Sequence, residues 1–283
     1  MEHNSGQPSP LDNIIGLRRN LFLRIVSSLV ILPPVAALLL LGGSMFALLV
    51  AVIAACIAWE WSTLVSRGGM TLIGSLSVTG CAGLVLCYTF LPTEMLSIAI
   101  LLSVTILAGA TMLSRERDAL WVVGGCIISA TSCLSILWLR ESEPDGLFLV
   151  TWLISIVIAT DVSAYVTGRA IGGPRLAPRI SPNKTWAGLL GGIVASAVVG
   201  VIFAVYTETT GVVALAMLSA VFACVAQCGD LFVSVVKRKF GVKDSSRLIP
   251  GHGGVLDRLD GHIAVQTLAA LGVMISERNL IMW

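Results

Sequence analysis

The chain has 283 residues, of which 56% are hydrophobic and only 12% are charged. Soluble domains carry roughly 25% charged residues, so this composition excludes a soluble globular protein and predicts an integral membrane protein. The net charge of +2 says little by itself. The positions of the charges are more informative, and no nucleic-acid partner is expected.

Apolar runs along the chain predict nine transmembrane helices, because a run of about 18 residues or more can cross a hydrocarbon core of roughly 30 Å. Residues 1–20 are polar and predict a cytoplasmic N-terminal arm that is loose or amphipathic. The predicted spans are residues 22–42, 44–63, 71–91, 95–113, 120–139, 147–167, 187–206, 211–235 and 260–277. We therefore predict an all-α polytopic membrane protein in which residues 21–283 form a single membrane domain.

Basic residues are concentrated on one side of these spans. With the N-terminus inside, all but two of the eighteen Lys and Arg residues lie on the inner side, the exceptions being Arg140 and Arg278. The positive-inside rule therefore predicts an N-in, C-out topology. The long polar loops 168–186 and 236–259 then form a cytoplasm-facing polar site, which we expect at a bacterial inner (plasma) membrane.

Charge also divides the membrane domain into two parts. Residues 21–140 carry almost no buried charge and are predicted to be scaffold helices, whereas residues 147–283 carry nearly all the polar motifs and are predicted to be the catalytic half. Glu60, between Trp59 and Trp61, is interpreted as an interfacial residue beside an aromatic belt.

The sixth predicted helix carries Asp161 deep in an apolar run, in the sequence IATDVSAYVTGR. A carboxylate there costs about 2.5–3.5 kcal/mol on insertion scales, so it is expected to face a partner, a metal or a water-filled cavity. Asp161, Tyr165 and Gly168 recur near helical spacing and are predicted to share one inward face. The alternative is a structural hydrogen bond to a neighbouring helix.

The segment GGPRLAPRISPNKTW follows, and its glycines, prolines and basic residues preclude a regular helix. Lys184 and Thr185 stand at the start of the seventh helix, where backbone N–H groups and the helix dipole attract an anion and Lys184 adds a positive charge. Arg175 and Arg179 fit equally well as inside-facing anchors beside anionic lipid headgroups.

Carboxylates also mark the end of the eighth helix and the start of the ninth. Asp230 and Ser234 are four residues apart and face one way, and Asp257 and Asp260 are three apart. These carboxylates can converge on one hard cation such as Mg²⁺, which takes oxygen ligands alongside substrate phosphates. The alternative is that Asp257 and Asp260 form structural salt bridges with nearby arginines, Arg247 and Arg258.

Residues 234–260 combine six of the eighteen cations with carboxylates, His252 and three glycines between two apolar runs. Such a mixture suits a phosphorylated ligand with a divalent metal, because cations and backbone N–H groups face phosphate oxygens. Gly253 and Gly254 indicate a close approach of the backbone to the ligand. The role of His252 stays open between general acid, phosphate donor and conformational latch.

This segment reads SVVKRKFGVKDSSRLIPGHGGVLDRLD and resembles the diagnostic motif of the phosphatidate cytidylyltransferases, also called CDP-diacylglycerol synthases. The positions in register are Ser234, Lys237, Arg238, Lys243, Asp244, Ser246, Ile249, Pro250, His252, Gly253, Gly254, Asp257, Arg258 and Asp260. The similarity extends upstream through DVSAYVTGR and SPNKTW, and the hydropathy fits the family over nearly the whole chain.

The resemblance implies a nucleotidyltransferase that converts CTP and phosphatidate to CDP-diacylglycerol and pyrophosphate for phospholipid biosynthesis. Its expected partners are CTP, phosphatidate and membrane lipids, with Mg²⁺ as cofactor; a second metal or a monovalent cation, and a homodimer, stay open. The implied catalytic residues are Asp230, Asp257, Asp260, Lys184 and His252, with the three aspartates as metal ligands. The implied substrate-binding residues are Asp161, Tyr165, Ser181, Lys184, Thr185, Ser234, Lys237, Arg238, Lys243, Asp244, Gly253, Gly254 and Arg258.

Two other functions stay open at this point. A CTP-dependent kinase acting on a polyprenol or another lipid would use similar substrates, and an ion-coupled transporter would also carry intramembrane carboxylates. The chain has no internal repeat, and its cations cluster on one side, which disfavours the transporter. It also has no P-loop motif, so another device must hold the nucleotide.

Overall fold

The computed structural model describes residues 10–67, 69–113, 118–142, 145–209 and 211–276. Within these ranges the chain forms nine α-helices and one β-hairpin. In chain order the elements are α1 Pro10–Leu41, α2 Gly43–Val65, α3 Leu72–Phe90, α4 Thr93–Leu113, α5 Ala119–Glu141, α6 Gly146–Ala170, β1 Arg175–Ala177, β2 Ser181–Thr185, α7 Trp186–Tyr206, α8 Val212–Lys239 and α9 Leu256–Ser276.

Helices α2 to α9 account for the eight described helices that are long and apolar enough to cross a membrane. The described apolar part of α1, Val26–Leu41, is shorter. The prediction of an all-α polytopic membrane protein is confirmed. Residues 1–9 of the predicted N-terminal arm lie outside the described residues, and α1 already begins at Pro10 within that arm.

Contacts between helix ends fix which ends share a side of the bundle. Arg140, at the end of α5, donates from Nε to the Leu39 carbonyl oxygen at 3.0 Å and from Nη2 to that of Leu40 at 3.2 Å. The ends of α1 and α5 therefore lie together, as alternating spans require. Which of the two sides faces the cytoplasm stays a prediction.

Two clusters of buried apolar side chains hold the helices together. The first is built mainly from α2, α3 and α5 and contains Trp61; the second is built mainly from α6, α8 and α9 and contains Trp152. Helices α8 and α9 contribute to both, since Val233 and Leu256 belong to the first cluster. These two helices therefore join the N-terminal and C-terminal parts of the domain.

Polar side chains connect the helices inside the bundle. Thr160 and Ser196 place their hydroxyl oxygens 2.7 Å apart between α6 and α7, and both residues are fully buried. Trp152 Nε1 donates to Ser219 Oγ at 3.1 Å between α6 and α8. Hydroxyl groups suit this position because apolar attraction between helices is weak in a bilayer, where the surrounding lipid is equally apolar.

Helices α6 and α7 pack closely through glycines. A Cβ atom added to Gly188 would lie 2.8 Å from the carbonyl oxygen of Ala164, and one added to Gly168 would lie 3.5 Å from Cα of Gly188. Only hydrogen fits at these positions, so the two backbones meet almost directly. Small residues commonly allow this kind of approach between membrane helices.

The polar segment between α6 and α7 forms an antiparallel hairpin. The Cα atoms of Arg175 and Thr185 are partners across it, as are those of Ala177 and Ser181. The sequence predicted that this segment is not a regular helix, and the hairpin satisfies its backbone instead. Thr185 then caps α7, because its hydroxyl oxygen accepts a hydrogen bond from the Gly188 N–H at 3.1 Å.

Candidate active site

The last three turns of α8 present a polar face made of Asp230, Ser234 and Lys237. Their spacings of four and three residues put them on one side of the helix. Ser234 Oγ donates to Asp230 Oδ1 at 3.2 Å, which confirms that these two residues face one way. Lys184 Nζ, from the hairpin, lies 2.6 Å from Asp230 Oδ2. The hairpin cation therefore pairs with the acidic residue of this face.

Asp257, in the first turn of α9, is held by three donors. Its Oδ1 accepts from Lys237 Nζ at 2.7 Å, and its Oδ2 accepts from the backbone N–H groups of Ser245 and Gly254 at 2.9 and 3.0 Å. The Lys237 and Asp257 side chains are only 11% and 5% exposed. The cation that pairs with Asp257 is thus Lys237, and neither of the arginines considered from the sequence takes that place.

Glu60 of α2 lies under the same loop. It is fully buried, so its interpretation as an interfacial residue is wrong. Oε1 accepts from Ser246 Oγ at 2.7 Å and from the Val255 N–H at 2.8 Å. Oε2 accepts from Ser245 Oγ at 2.8 Å and from the Leu256 N–H at 2.7 Å. Glu60 therefore caps the N-terminus of α9 from another helix.

Sequence reasoning missed Glu60 and Ser245. The signal for Glu60 was present, because a carboxylate within an apolar run has a large insertion cost and needs partners. The same argument had singled out Asp161. The two tryptophans beside Glu60 suggested a membrane interface instead. The expectation that the N-terminal helices carry almost no buried charge therefore fails at this residue.

Two further acidic residues, Asp161 and Asp260, lie near the α8 face. Asp161 lies within electrostatic range of Asp230, Asp260, Lys184 and Arg258. Asp260 Oδ1 accepts from the N–H of Gly261 at 2.8 Å. Asp161, Asp230 and Asp260 thus form a mutually repelling acidic group that cations offset.

The carboxylates of the predicted metal ligands do not converge on a common position. Across the described ranges, no three His, Cys, Asp or Glu side chains lie close enough together to hold a metal ion. The oxygens of Asp230 and Asp257 instead contact the ammonium groups of Lys184 and Lys237. The assignment of Asp230, Asp257 and Asp260 as metal ligands stays a prediction.

His252 lies in a tight turn that comes just before α9. Ile249 N–H donates to the Gly253 carbonyl at 2.8 Å, and Gly251 and Gly253 have φ values of 77° and 86°, which favour glycine. His252 Nδ1 lies 2.9 Å from Ser27 Oγ of α1. The turn is therefore attached to the first helix, and the catalytic role of His252 stays a prediction.

Arg238 connects the hairpin to the end of α8. Its Nε donates to the Ile180 carbonyl at 3.2 Å and its Nη1 to the Val242 carbonyl at 3.0 Å. Arg175 closes the hairpin itself through a hydrogen bond to the Pro182 carbonyl. Arg238 thus has a structural contact beside its predicted role in binding substrate.

Tyr165 does not point into the bundle. Tyr165 is 67% exposed and its hydroxyl accepts from Arg169 Nη1 at 3.1 Å. Asp161 is exposed too, so the predicted inward face shared by Asp161, Tyr165 and Gly168 is wrong at the first two residues. Helix α6 turns Thr160 and Gly168 towards α7 and leaves Asp161 and Tyr165 on an open face.

The other predicted substrate-binding residues lie on the hairpin, in the segment after α8 and on α9. Ser181 begins β2, and Thr185 ends it and uses its hydroxyl as a helix cap. Lys243, Asp244 and Arg258 are exposed. Their side chains are open to a ligand, whereas Lys237 is committed to Asp257 in this conformation.

A pocket of about 710 Å³ opens between the end of α2 and the segment after α8. Trp59, Arg67 and Lys239 are among its lining residues, and Ser245 links it to the Asp257 loop. None of the predicted catalytic carboxylates lines it. The predicted catalytic residues thus lie outside this pocket, and their catalytic roles stay a prediction.

Comparison with known proteins identifies what this arrangement resembles. The model of the family described as "Cytidylyltransferase family" matches residues 22–275. A phosphatidate cytidylyltransferase of Brucella abortus biovar 1 (strain 9-941) is 44% identical over 162 residues, which cover 57% of this chain and 60% of that protein. A phosphatidate cytidylyltransferase of Staphylococcus saprophyticus is 36% identical over 165 residues, covering 58% of this chain and 64% of the relative.

A third relative gives a shorter match. The phosphatidate cytidylyltransferase of Haemophilus influenzae is 44% identical over 120 residues, covering 41% of this chain and 42% of that protein. In all three comparisons the aligned segment spans less than two thirds of the relative's own length. The family model, in contrast, extends from α1 to the end of α9. The chain belongs to the cytidylyltransferase family.

Proposed function

We propose that this chain transfers the cytidylyl group of CTP to phosphatidate, giving CDP-diacylglycerol and pyrophosphate for phospholipid biosynthesis. Family membership and the names of the relatives support this activity. The observation that carries the proposal is the polar face of α8, where Asp230 and Lys237 pair with Lys184 and Asp257 from two other elements. Such a face combines fixed cations with carboxylates, as a nucleoside triphosphate, a lipid phosphate monoester and a metal ion require.

The proposed reaction needs positioning more than proton transfer. A phosphate monoester with a second pKa of about 6 is largely dianionic at neutral pH, so its oxygen is already a nucleophile. That oxygen attacks the α-phosphorus of CTP, a new P–O bond forms, and the bond between the α-phosphorus and the bridging oxygen breaks as pyrophosphate leaves. Catalysis then consists mainly of alignment and of stabilising negative charge.

The lysines provide that charge stabilisation. Lys184 and Lys237 each contact one aspartate in this conformation, and each ammonium has further donors for phosphate oxygens. Arg238, Lys243 and Arg258 add charge around them, with Ser234 orienting the face. A phosphate group bound here would share the lysines with Asp230 and Asp257.

Magnesium is part of the proposal. Carboxylate oxygens are the ligands that Mg²⁺ takes, and the mutual repulsion of Asp161, Asp230 and Asp260 favours a cation among them; binding requires these side chains to move closer together than in this conformation. Asp230, Asp257 and Asp260 would hold the ion, with Asp161 supporting them; a second metal or a monovalent cation stays open. A bound Mg²⁺ would neutralise charge on the phosphate oxygens.

We also propose that the site faces the cytoplasm of a bacterial inner (plasma) membrane. The excess of basic residues on this side of the bundle supports that orientation through the positive-inside rule. CTP would then reach the site from water and phosphatidate from the bilayer. The proposed partners are these two substrates and membrane lipids, without nucleic acid, and a homodimer stays open.

The activity is tested by incubating the purified protein in mixed micelles with phosphatidate, Mg²⁺ and CTP labelled at the α-phosphate. Label in a CDP-lipid together with released pyrophosphate supports the proposal. Label that stays in the water phase, with folded protein verified, contradicts it. A parallel reaction with γ-labelled CTP and a polyprenol detects the lipid kinase alternative, which family membership does not favour.

A further inference from the structure

Glu60 is a buried carboxylate that the proposed reaction does not use. It is 0% exposed and lies near the end of α2, in the part of the domain predicted to be scaffold. The ion pairs found in the described ranges are Lys184–Asp230 and Lys237–Asp257, so no Lys or Arg there neutralises Glu60 at salt-bridge distance. A buried carboxylate without a cation needs hydrogen-bond donors in its place.

Four donors meet this requirement. Two are the hydroxyls of Ser245 and Ser246, and two are the backbone N–H groups of Val255 and Leu256, all between 2.7 and 2.8 Å from a Glu60 oxygen. The backbone donors belong to the N-terminus of α9, where N–H groups have no partner within the helix and the dipole favours negative charge. Each carboxylate oxygen receives one hydroxyl and one backbone N–H.

These donors are directly connected to Asp257. Leu256, which donates to Glu60, is the residue immediately before Asp257 in the chain. Ser245 donates from its hydroxyl to Glu60 and from its backbone N–H to Asp257. Gly254, which also donates to Asp257, packs so closely on Glu60 that an added Cβ would lie 2.5 Å from Oε2. The carboxylates of Glu60 and Asp257 thus hold opposite sides of one short segment.

We infer that Glu60 is a positioning residue for the proposed cytidylyl transfer, which fixes the orientation of Asp257 by holding both ends of the 245–256 segment. The inference rests on the proposed function. Without the four hydrogen bonds, the N–H groups that orient Asp257 would no longer be fixed relative to α2. Asp257 and its partner Lys237 would then sample orientations away from the substrates.

The substitution Glu60→Gln tests this with little change in size. Both oxygens of Glu60 face a backbone N–H, so the NH₂ group of glutamine meets an N–H in either orientation of the amide. A backbone N–H cannot reverse its direction, and one cap on α9 is lost. We expect kcat to fall by at least about tenfold, because misplacement of a catalytic group is costly. We expect KM for CTP to change less than kcat, because Lys184 and Arg238 are held by contacts outside the 245–256 segment.

Hydrogen exchange gives a readout that does not depend on activity. In Glu60→Gln, amide exchange of residues 254–259 should become faster, because opening of this segment requires less free energy. Exchange in α6 and α7 should stay unchanged. Ser129→Ala is the matched control: it removes another buried hydrogen bond to α2, from Ser129 Oγ to the Ala54 carbonyl, without touching the segment. It should leave both kcat and exchange of residues 254–259 unaltered.

Ser245→Ala provides a milder variant if Glu60→Gln does not fold. It removes one hydroxyl donor to Glu60 but keeps the backbone N–H that binds Asp257. Alone, it should lower kcat and speed amide exchange of residues 254–259, both less than Glu60→Gln would. Where Glu60→Gln does fold, the two changes combined should lower kcat by less than the sum of their separate effects, since both act through one network.

The outcomes separate this inference from the proposed function. If the wild type makes CDP-lipid and Glu60→Gln retains its kcat with unchanged exchange, the inference is refuted while the function stands. If the wild type makes no CDP-lipid, the proposed function fails, and so does a role of Glu60 in it. If Ser129→Ala lowers kcat as much as Glu60→Gln does, the loss in both variants comes from a general destabilisation of the fold. That result would also refute the inference.

Discussion

The Lys237–Asp257 ion pair should contribute measurably to the free energy of unfolding. Both side chains are largely buried, at 11% and 5% exposure, and the charged atoms are 2.7 Å apart. Two unit charges at 2.7 Å attract by about 6 kcal/mol at an effective dielectric constant of about 20. Desolvation offsets most of this attraction. Removing one partner alone nevertheless leaves a buried unpaired charge, which typically costs about 3–5 kcal/mol.

The test is a double-mutant cycle with Lys237→Met, Asp257→Asn and the double variant. We expect each single change to lower the free energy of unfolding by about 3–5 kcal/mol. The double variant should lose less than the sum, with a coupling energy of about 2–3 kcal/mol. Reversible unfolding in mixed micelles, followed by circular dichroism during titration with a denaturing detergent, measures these differences.

The Lys184–Asp230 pair is the matched comparison. The Lys184 and Asp230 side chains are 17% and 28% exposed. Solvent therefore screens this pair more strongly than Lys237–Asp257, and its desolvation cost is smaller. The cycle with Lys184→Met and Asp230→Asn should therefore give a coupling energy nearer to about 1 kcal/mol. Strictly additive losses at Lys237 and Asp257, or a larger coupling at Lys184 and Asp230, would refute the reasoning from burial.

Further expectations follow from single contacts and from the proposed metal. Thr185→Ala removes the cap on Gly188 and should destabilise the protein by about 1 kcal/mol; an unchanged unfolding midpoint would contradict the cap. Gly254→Ala places a Cβ against the Glu60 carboxylate and should lower activity at least about tenfold, whereas Gly80→Ala, with no atom within 4 Å of the new Cβ, should not; equal activities would argue against the close fit. EDTA should abolish CDP-lipid formation and added Mg²⁺ should restore it, and turnover that survives chelation would contradict the metal assignment.

The membrane architecture could be predicted because it depends on local composition. Apolar runs fix the existence of the helices, and their approximate bounds follow from the length needed to cross a bilayer. The start of α9 was different: the helix begins at Leu256 and not at residue 260 as predicted. Glu60, 196 residues away from Leu256, supplies the cap that extends this helix. A local sequence pattern cannot anticipate a cap from another helix.

In the candidate site too, the sequence predicted which residues take part but not which residues they contact. The dense motif of residues 234–260 located Lys237, Gly254 and Asp257, whose contacts are now visible. The spacing of residues in the sequence could not show which cation pairs with each aspartate. Asp257 pairs with Lys237 on α8, and Asp230 pairs with Lys184 on the hairpin. These choices depend on how three elements pack, which is decided by tertiary contacts.

The hairpin illustrates a prediction that was right in kind but incomplete. Its prolines and glycines excluded a helix, and the chain indeed leaves α6 and re-enters α7 through two short strands. No local pattern indicates that Arg238 donates to the Ile180 carbonyl of the hairpin turn, because the two residues are 58 positions apart. That contact ties the hairpin to α8.

The glycine contact between α6 and α7 acts as a spacer of fixed thickness. Asp161 stands on one of the two helices and Lys184 lies just before the other, so the gap between the acidic and basic groups is set by two backbones touching at Gly168 and Gly188. A methyl group at either glycine would widen that gap without altering any charged residue. The electrostatic balance of the site is therefore determined in part by atoms that carry no charge at all.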